Sequence, residues 1–421
     1  MRILSVTQSY APFYEFGGPP VKVEALAKGL AQRGHSVTVL TVDWGYQKRK
    51  EADADGVSSR RSRFGWTREA NGVEGIYLPT RFRYRALSWN PAVERYCRER
   101  LGQFDVVHIF GLYDLLGPAV ARTCRKQGIP YVIEPIGMFL PIVRNIALKR
   151  LYHKFWGHKL LAGAAAVVAT SEQEAEELAK GRGPAGQGGI PREKIVLRRN
   201  GVMAPRELPA RGTFRAKYGL PADSLVVLFL GRLSVKKSPE LLLEAFARLP
   251  ERIEGNTMRL VFAGPDESGM LARLQSQARK LGVETRVIFA GSVFGQEKWT
   301  AYRDADVFVL PSQNENFGNS AAEAAACGTP VVVTENCGIA PLLAGVAGLV
   351  VGHETLKVGQ AVQQVLSDEA LRERLAQGGR SAAGRLGWDE PVSEMARLYE
   401  KLAKPTQASQ FRPNKETANQ G

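Results

Sequence analysis

Only four cysteines, Cys97, Cys124, Cys327 and Cys337, occur in 421 residues. They show neither metal-ligand spacing nor the density of a disulfide scaffold, which fits a reducing cytoplasm. No apolar run approaches the roughly 18 residues that cross a bilayer. The opening Met1-Arg2-Ile3-Leu4-Ser5-Val6 reads as a short strand rather than the apolar segment of a signal peptide. Two nucleotide fingerprints are missing as well, G-x-x-x-x-G-K-[S/T] and G-x-G-x-x-G, which argues against P-loop triphosphatases and dehydrogenases. Acid is scarce relative to base: 57 Lys and Arg face 42 Asp and Glu, for a net charge of +15. Such an excess calls for an anionic partner, namely nucleic acid, an acidic membrane surface or a phosphate-bearing substrate. Residues 48–100 hold 13 of the cations against 7 acids. No zinc-finger, RNP or helix-turn-helix signature accompanies them, so nucleic acid is not expected as a partner.

What is present reads as two domains, because the chain is too long for one ordinary core. Apolar β-branched runs alternate with helical spacings. The first half shows strand 3–6, a loop with Pro12, Gly17, Gly18, Pro19 and Pro20, helix 21–33 and strand 37–42. A polar, basic stretch at 45–75 reads as a loop or flap. Strand 106–110, helix 115–127 and strands 131–134, 164–169 and 195–197 follow, with Ser171-Glu-Gln-Glu174 resembling a capping box. Prolines 205, 209 and 221 mark a linker, and the same alternation restarts at 225–230. The expected fold class is therefore α/β, with two Rossmann-like doubly wound domains facing a cleft. The boundaries are 1–204 for the first domain, 205–222 for the linker and 223–387 for the second domain. A helix over 388–404 is expected to pack back towards the first domain, and 405–421 reads as a disordered tail.

Two stretches carry candidate chemistry. Gly231-Arg232-Leu233-Ser234-Val235-Lys236-Lys237 follows a strand, so Arg232 and Lys237 can aim two cations at the cleft and neutralise a departing diphosphate; the alternative is plain surface charge. From Glu315 to Val333 a polar loop enters a nearly all-alanine helix that stops at Gly328, with Pro330 beyond. Glu323 has two readings: it lies three residues after Ser320, the spacing of a helix cap, or it meets a ligand. Glu315 has no capping explanation, and it sits beside free backbone amides at a strand's carboxyl end. Asp304-Ala-Asp306 mimics a metal-binding D-x-D, but its place at a helix end argues against a metal. His108 reads as a cleft residue or a structural one. Residues 141–160 contain no acid and five Lys or Arg. Leu148, Leu151, Tyr152, Phe155 and Trp156 recur there at helical spacing, consistent with a membrane-surface helix or an ordinary packed one.

The run E-N-F-G-N-S-A-A-E-A-A-A-C-G-T-P-V-V, with its glutamates at 315 and 323, closely resembles the signature of GT-B retaining glycosyltransferases of family 4, the glycosyl transferases group 1. Gly17-Gly18, Phe104-Asp105-Val106-Val107-His108, Arg199-Asn200-Gly201-Val202, Gly231-Arg232 with Lys237, and Gly264-Pro265 fall in the matching order. The resemblance implies a retaining, metal-independent hexosyltransferase with no cofactor, taking a nucleotide diphosphate-sugar as donor. The acceptor would be a glycan or lipid-linked sugar in cell-surface polysaccharide synthesis. The location would be the cytoplasm, either free or, on the membrane reading of the basic helix, at the inner, anionic face of the plasma membrane. By position, Arg232 and Lys237 would hold the diphosphate, Glu323 the ribose, and Glu315 the donor sugar. Phe317, Gly318 and Asn319 would add backbone amides, while Gly17 and Gly18 would approach from the first domain. Many relatives carry His or Arg where Ile136 stands here; Glu134 nearby is either an acid able to substitute or only a strand-end acid, and His108 and Glu134 are the candidate acceptor-side residues. The rival readings are a nucleotide-sugar epimerase of the same fold and a non-catalytic nucleotide-sugar-binding protein.

Overall fold

The computed structural model describes residues 1–48, 57–84, 87–139, 146–181, 189–205 and 207–403. The tail from Pro405 and most of the Gly-rich stretch 181–190 lie outside these residues.

The first unit is a nine-stranded sheet. From one edge to the other run Ile195–Leu197, Ala166–Ala169, Tyr131–Glu134, Val106–Phe110, Arg2–Val6, Ser36–Val42, Val73–Leu78, Gly65–Ala70 and Ser58–Ser62. The first seven are parallel. Arg2–Val6 lies in the middle, and the chain winds outward from it in both directions. The order therefore reverses between Arg2–Val6 and Val106–Phe110, where a crevice opens beyond the strand ends. The stretch expected as a loop at 45–75 instead holds Ser58–Ser62, Gly65–Ala70 and the start of Val73–Leu78, the last three strands, joined by two antiparallel pairings into a meander. The hidden signal is polarity: Ser58–Ser62 is an edge strand with no buried residue, so neither face carries an apolar period.

The second unit repeats the scheme. Its order is Arg252–Ile253, Asn256–Ala263, Leu225–Leu230, Val307–Leu310, Val331–Thr334 and Gly348–Val351, with Val287–Gly291 also pairing to Asn256–Ala263. Leu225–Leu230 and Val331–Thr334 are buried at every position, as parallel strands covered on both faces must be. The switch point falls between Leu225–Leu230 and Val307–Leu310. Their carboxyl ends lead directly into Gly231-Arg232 and into the loop that carries Glu315.

The segment 205–222 is not a free linker. It forms a short helix, Thr213–Lys217, whose Phe214 is buried in the second core. Asp304 fastens its start: one carboxylate oxygen accepts the Gly212 amide at 2.6 Å, and the other accepts those of Phe214 and Arg215 at 2.8 and 3.1 Å. Asp306 accepts the Val226 amide at 2.7 Å and the Arg215 guanidinium at 2.8 Å. Both acids of the D-x-D sequence thus hold the helix and strand around them.

The chain passes between the units twice, near Val202 and near 386–388, and the two passages are joined by the Val202 amide donating to the Leu386 carbonyl at 2.7 Å. The final helix, Asp389–Ala403, lies on the first unit. Val392, Met395, Ala396 and Tyr399 join a core with Val23, Leu26, Leu30 and Phe110. A β-carbon at Gly29 would come within 2.6 Å of Val392, so the two helices touch backbone to side chain there.

Met395→Ala is expected to destabilise the first unit by about 2–5 kcal/mol through the cavity it leaves. Denaturant unfolding followed by tryptophan fluorescence checks this: the first unit's transition moves to lower denaturant, while the second unit's transition stays.

Candidate active site

The loop carrying Glu315 is pinned by its backbone before any side chain acts. The Gln313 amide donates to the Lys236 carbonyl at 3.0 Å, and the Glu315 amide to the Asn336 carbonyl at 2.9 Å. The Glu315 carbonyl accepts from Gly338, and the Phe317 carbonyl accepts from Ile339 at 2.7 Å. So placed, the Glu315 carboxylate meets the Lys237 ammonium at 2.8 Å, with the two side chains only 20% and 21% exposed. Burial pushes the Glu315 carboxyl up; Lys237, with Lys236 and Arg232 behind it, outweighs burial and holds it below the usual carboxylate range. Arg232 is freer. Its nearest acid is Glu267 at 3.8 Å, and both are about half exposed.

The helix that follows, Asn319–Ala326, begins without a side-chain cap. Gly318 stands at the cap position with φ +103°, a left-handed conformation that favours glycine. Its first amides have no partner inside the helix and lie at the carboxyl edge of the sheet. Ser320 is the second helical residue, so the capping box read from Ser320 and Glu323 does not form. Glu323 points instead at a neighbouring helix, Gly295–Asp304. One of its oxygens accepts from the Lys298 ammonium at 2.7 Å and the other from the Tyr302 hydroxyl at 2.9 Å. Of the two readings of Glu323, the cap is overturned. Lys298 and Tyr302 were not singled out from sequence; their one-turn spacing on a helix was the available signal.

The first unit faces this site across the cleft. Gly17, at φ +89°, precedes helix Gly18–Gln32, and a β-carbon on it would lie 3.5 Å from the Arg232 guanidinium. One on Gly18 would lie 3.3 Å from the Asn319 amide nitrogen. Further along, Asn200 donates to the Asn319 side-chain oxygen at 3.2 Å, and Asn316 donates to the Thr170 hydroxyl at 2.5 Å. Arg232, Lys237, Glu315, Asn319, Gly17 and Gly18 therefore gather in one place. Phe317 is buried, leaving only its backbone at the cleft. Asn200, Thr170 and Asn316, which bridge the two units, were not chosen as site residues from sequence.

His108 and Glu134 do not line the cleft. Both are fully buried in the first unit, so neither can touch an acceptor. Glu134 pairs with Lys22 at 2.6 Å and with the buried Arg198, and the His108 ring lies 3.7 Å from it. His108 is hydrogen-bonded through Nδ1 to the Tyr399 hydroxyl at 2.5 Å, which ties the final helix to the sheet. Burial drives His108 down to about 3, so it is neutral at physiological pH. Burial alone would raise the Glu134 carboxyl; Arg198 and Lys22 reverse this and hold it at about 2. Glu134 therefore does not replace a basic side chain at Ile136. Ile136 itself is half-buried with φ +56°, an uncommon conformation for a β-branched residue. Among the described residues, no group of three or more His, Cys, Asp or Glu is gathered as for a metal ion.

Two doubly wound units meeting at their switch points, with cations and a carboxylate gathered between them, make up the GT-B fold. Comparison with known proteins agrees. The family model for glycosyl transferases group 1 matches residues 210–382, and that for the glycosyl transferase 4-like domain matches residues 17–201. The D-inositol 3-phosphate glycosyltransferase of Xylanimonas cellulosilytica is 35% identical over 320 residues, covering 72% of this chain and 73% of its own length. That of Actinosynnema mirum is 32% identical over 399 residues, covering 91% and 92%. Among solved structures, Anabaena HepE in complex with UDP and glucose superposes with a TM-score of 0.72 at 19% identity, covering 95% of this chain and 100% of that one. WaaG, a glycosyltransferase of lipopolysaccharide biosynthesis, gives 0.67 at 19%, covering 94% and 99%. At such identities the structures speak for the fold alone. The chain belongs to the family 4 glycosyltransferases, glycosyl transferases group 1.

Glu134→Gln would leave Lys22 and Arg198 buried without their counter-charge, at a cost of about 3–5 kcal/mol near neutral pH. Because the Glu134 pKa is depressed in the folded state, its contribution is present above its unfolded value of about 4.3 and is lost as pH falls towards 2. Stability measured against pH should therefore drop less steeply below pH 4.3 in the variant than in the parent. Parallel curves would show that Glu134 carries no such charge.

Proposed function

We propose that the protein is a retaining hexosyltransferase that uses a nucleotide diphosphate-sugar and needs no metal. The observation that carries this is the pairing of Lys237 with Glu315, beside Arg232, at the strand ends of the second unit. In the reaction so read, the acceptor hydroxyl oxygen bonds to the sugar's anomeric carbon as the bond from that carbon to the diphosphate breaks. The acceptor proton passes to the leaving phosphate on the same face, and the anomeric configuration is kept. Arg232 and Lys237 take up the negative charge that grows on the diphosphate, a role fixed cations fill without reorganisation. Glu315, held by its backbone and by Lys237, accepts from the sugar hydroxyls. Glu323 accepts from the ribose, and the amides of Phe317, Gly318 and Asn319 add donors. Gly17 and Gly18 allow close backbone approach from the acceptor side.

The acceptor in this reading is a glycan or lipid-linked sugar for cell-surface polysaccharide, used in the cytoplasm at the inner, anionic face of the plasma membrane. The names of the relatives favour a second acceptor, an inositol phosphate, and D-inositol 3-phosphate is the soluble acceptor to try first. An epimerase or a non-catalytic binder lacks comparable support, because the curated relatives compared above carry transferase names.

Lys237→Ala and Glu315→Ala are each expected to lower kcat/KM by about 10²–10³-fold with the fold intact. A coupled assay of nucleoside diphosphate release, with circular dichroism as the folding control, reads both; full turnover in either variant removes that residue from the site. Glu323→Gln is expected to raise donor KM several-fold with kcat little changed, as loss of a ground-state binding contact does. A fall in kcat at constant KM would contradict the ribose role.

A further inference from the structure

Helix Ile146–Tyr152 continues through a wider turn, His153–Gly157, into His158–Ala162. It leaves the first sheet beyond the carboxyl end of Tyr131–Glu134. One face is core: Tyr152, His153, Gly157, Leu160 and Leu161 are buried. The opposite face is apolar too, but open to solvent. Leu148, Leu151, Phe155 and Trp156 remain 49%, 50%, 53% and 44% exposed. Leu148, Leu151 and Phe155, spaced i, i+3 and i+7, form a stripe. An ordinary packed helix presents its charged face to water, and here the apolar stripe itself is presented. Arg150, Lys154 and Lys159 are exposed on the same helix, and no acid occurs between 141 and 160. A second aromatic pair, Phe82 and Trp89, is exposed on a small hairpin that follows strand Val73–Leu78, beyond the same carboxyl edge of the sheet.

We infer that this helix face docks the protein on an anionic lipid bilayer, with the cleft opening beside the surface. Exposed aromatic and aliphatic side chains supply insertion, and the unopposed cations supply attraction to acidic headgroups. Charge complementarity selects the partner: a purely apolar protein groove would not call for a helix without acids. Among the described residues no helix is long and apolar enough to span, so the contact is superficial. The inference deepens the lipid-linked acceptor reading and rests on it for the choice of partner.

The test is sedimentation with phosphatidylcholine vesicles, with and without phosphatidylglycerol. The protein is expected to bind the anionic vesicles and to be released by high salt. Leu151→Ser/Phe155→Ser should weaken binding by at least about tenfold. Thermal melting and turnover on a water-soluble acceptor should be unchanged, since both side chains are exposed and outside the site. No binding by the parent, equal binding by the double variant, or a solution dimer of the parent that the double variant abolishes would overturn the inference. Transfer activity without vesicle binding would overturn it and leave the enzymatic reading standing. Salt-sensitive vesicle binding without transfer would do the reverse.

Discussion

Lys237 and Glu315 sit 2.8 Å apart where two central strands of the second sheet end, and the site is arranged around that pair. Neither side chain chooses its own position. Lys237 ends a single helical turn whose backbone carbonyl at Lys236 accepts from Gln313, and Glu315 is locked by the 336–339 segment. A partly exposed ion pair of this kind contributes little to stability. Its value lies in being preformed, with two further lysine protons and carboxylate lone pairs left for a ligand. Arg232, only loosely opposed by Glu267, extends the positive side of the site towards Gly17.

The same chemistry serves an opposite purpose inside the first unit. Glu134 is also a carboxylate between cations, but Lys22, Arg198 and Glu134 are all buried. They join the helix behind Gly17-Gly18, the end of strand Tyr131–Glu134 and the chain entering Asn200. Asn200 in turn accepts from Arg198 and donates to Asn319 in the second unit. His108 and Tyr399 add the last helix to this cluster. The buried charges thus set where the first unit's wall of the cleft stands, while the partly exposed ones in the second unit face the cleft.

Sequence reading located what local physics determines. Leu225–Leu230, Val307–Leu310 and Val331–Thr334 were legible because parallel strands buried on both faces leave uninterrupted apolar runs. Ser171 was legible as a cap, and it accepts the Glu174 amide at 3.1 Å. The meander at 58–78 was not, because its edge strand, Ser58–Ser62, is all serine and arginine with no buried residue. Glu323 was ambiguous because spacing alone does not say where a helix starts; the cap falls two residues earlier, at Gly318, which makes Ser320 useless as a cap. Glu134 was left open between two readings for another reason: its partners lie 112 and 64 residues away, and nothing local reveals that they converge. The exposed stripe at Leu148, Leu151 and Phe155 had a legible period, but period does not tell which face is buried.

The account stands most directly on where a diphosphate binds. Crystals soaked in turn with uridine and guanosine diphosphates would decide it. The account predicts diphosphate oxygens within about 3 Å of both Arg232 and Lys237, with the ribose hydroxyls at Glu323. A nucleotide bound with its diphosphate away from both cations would contradict it.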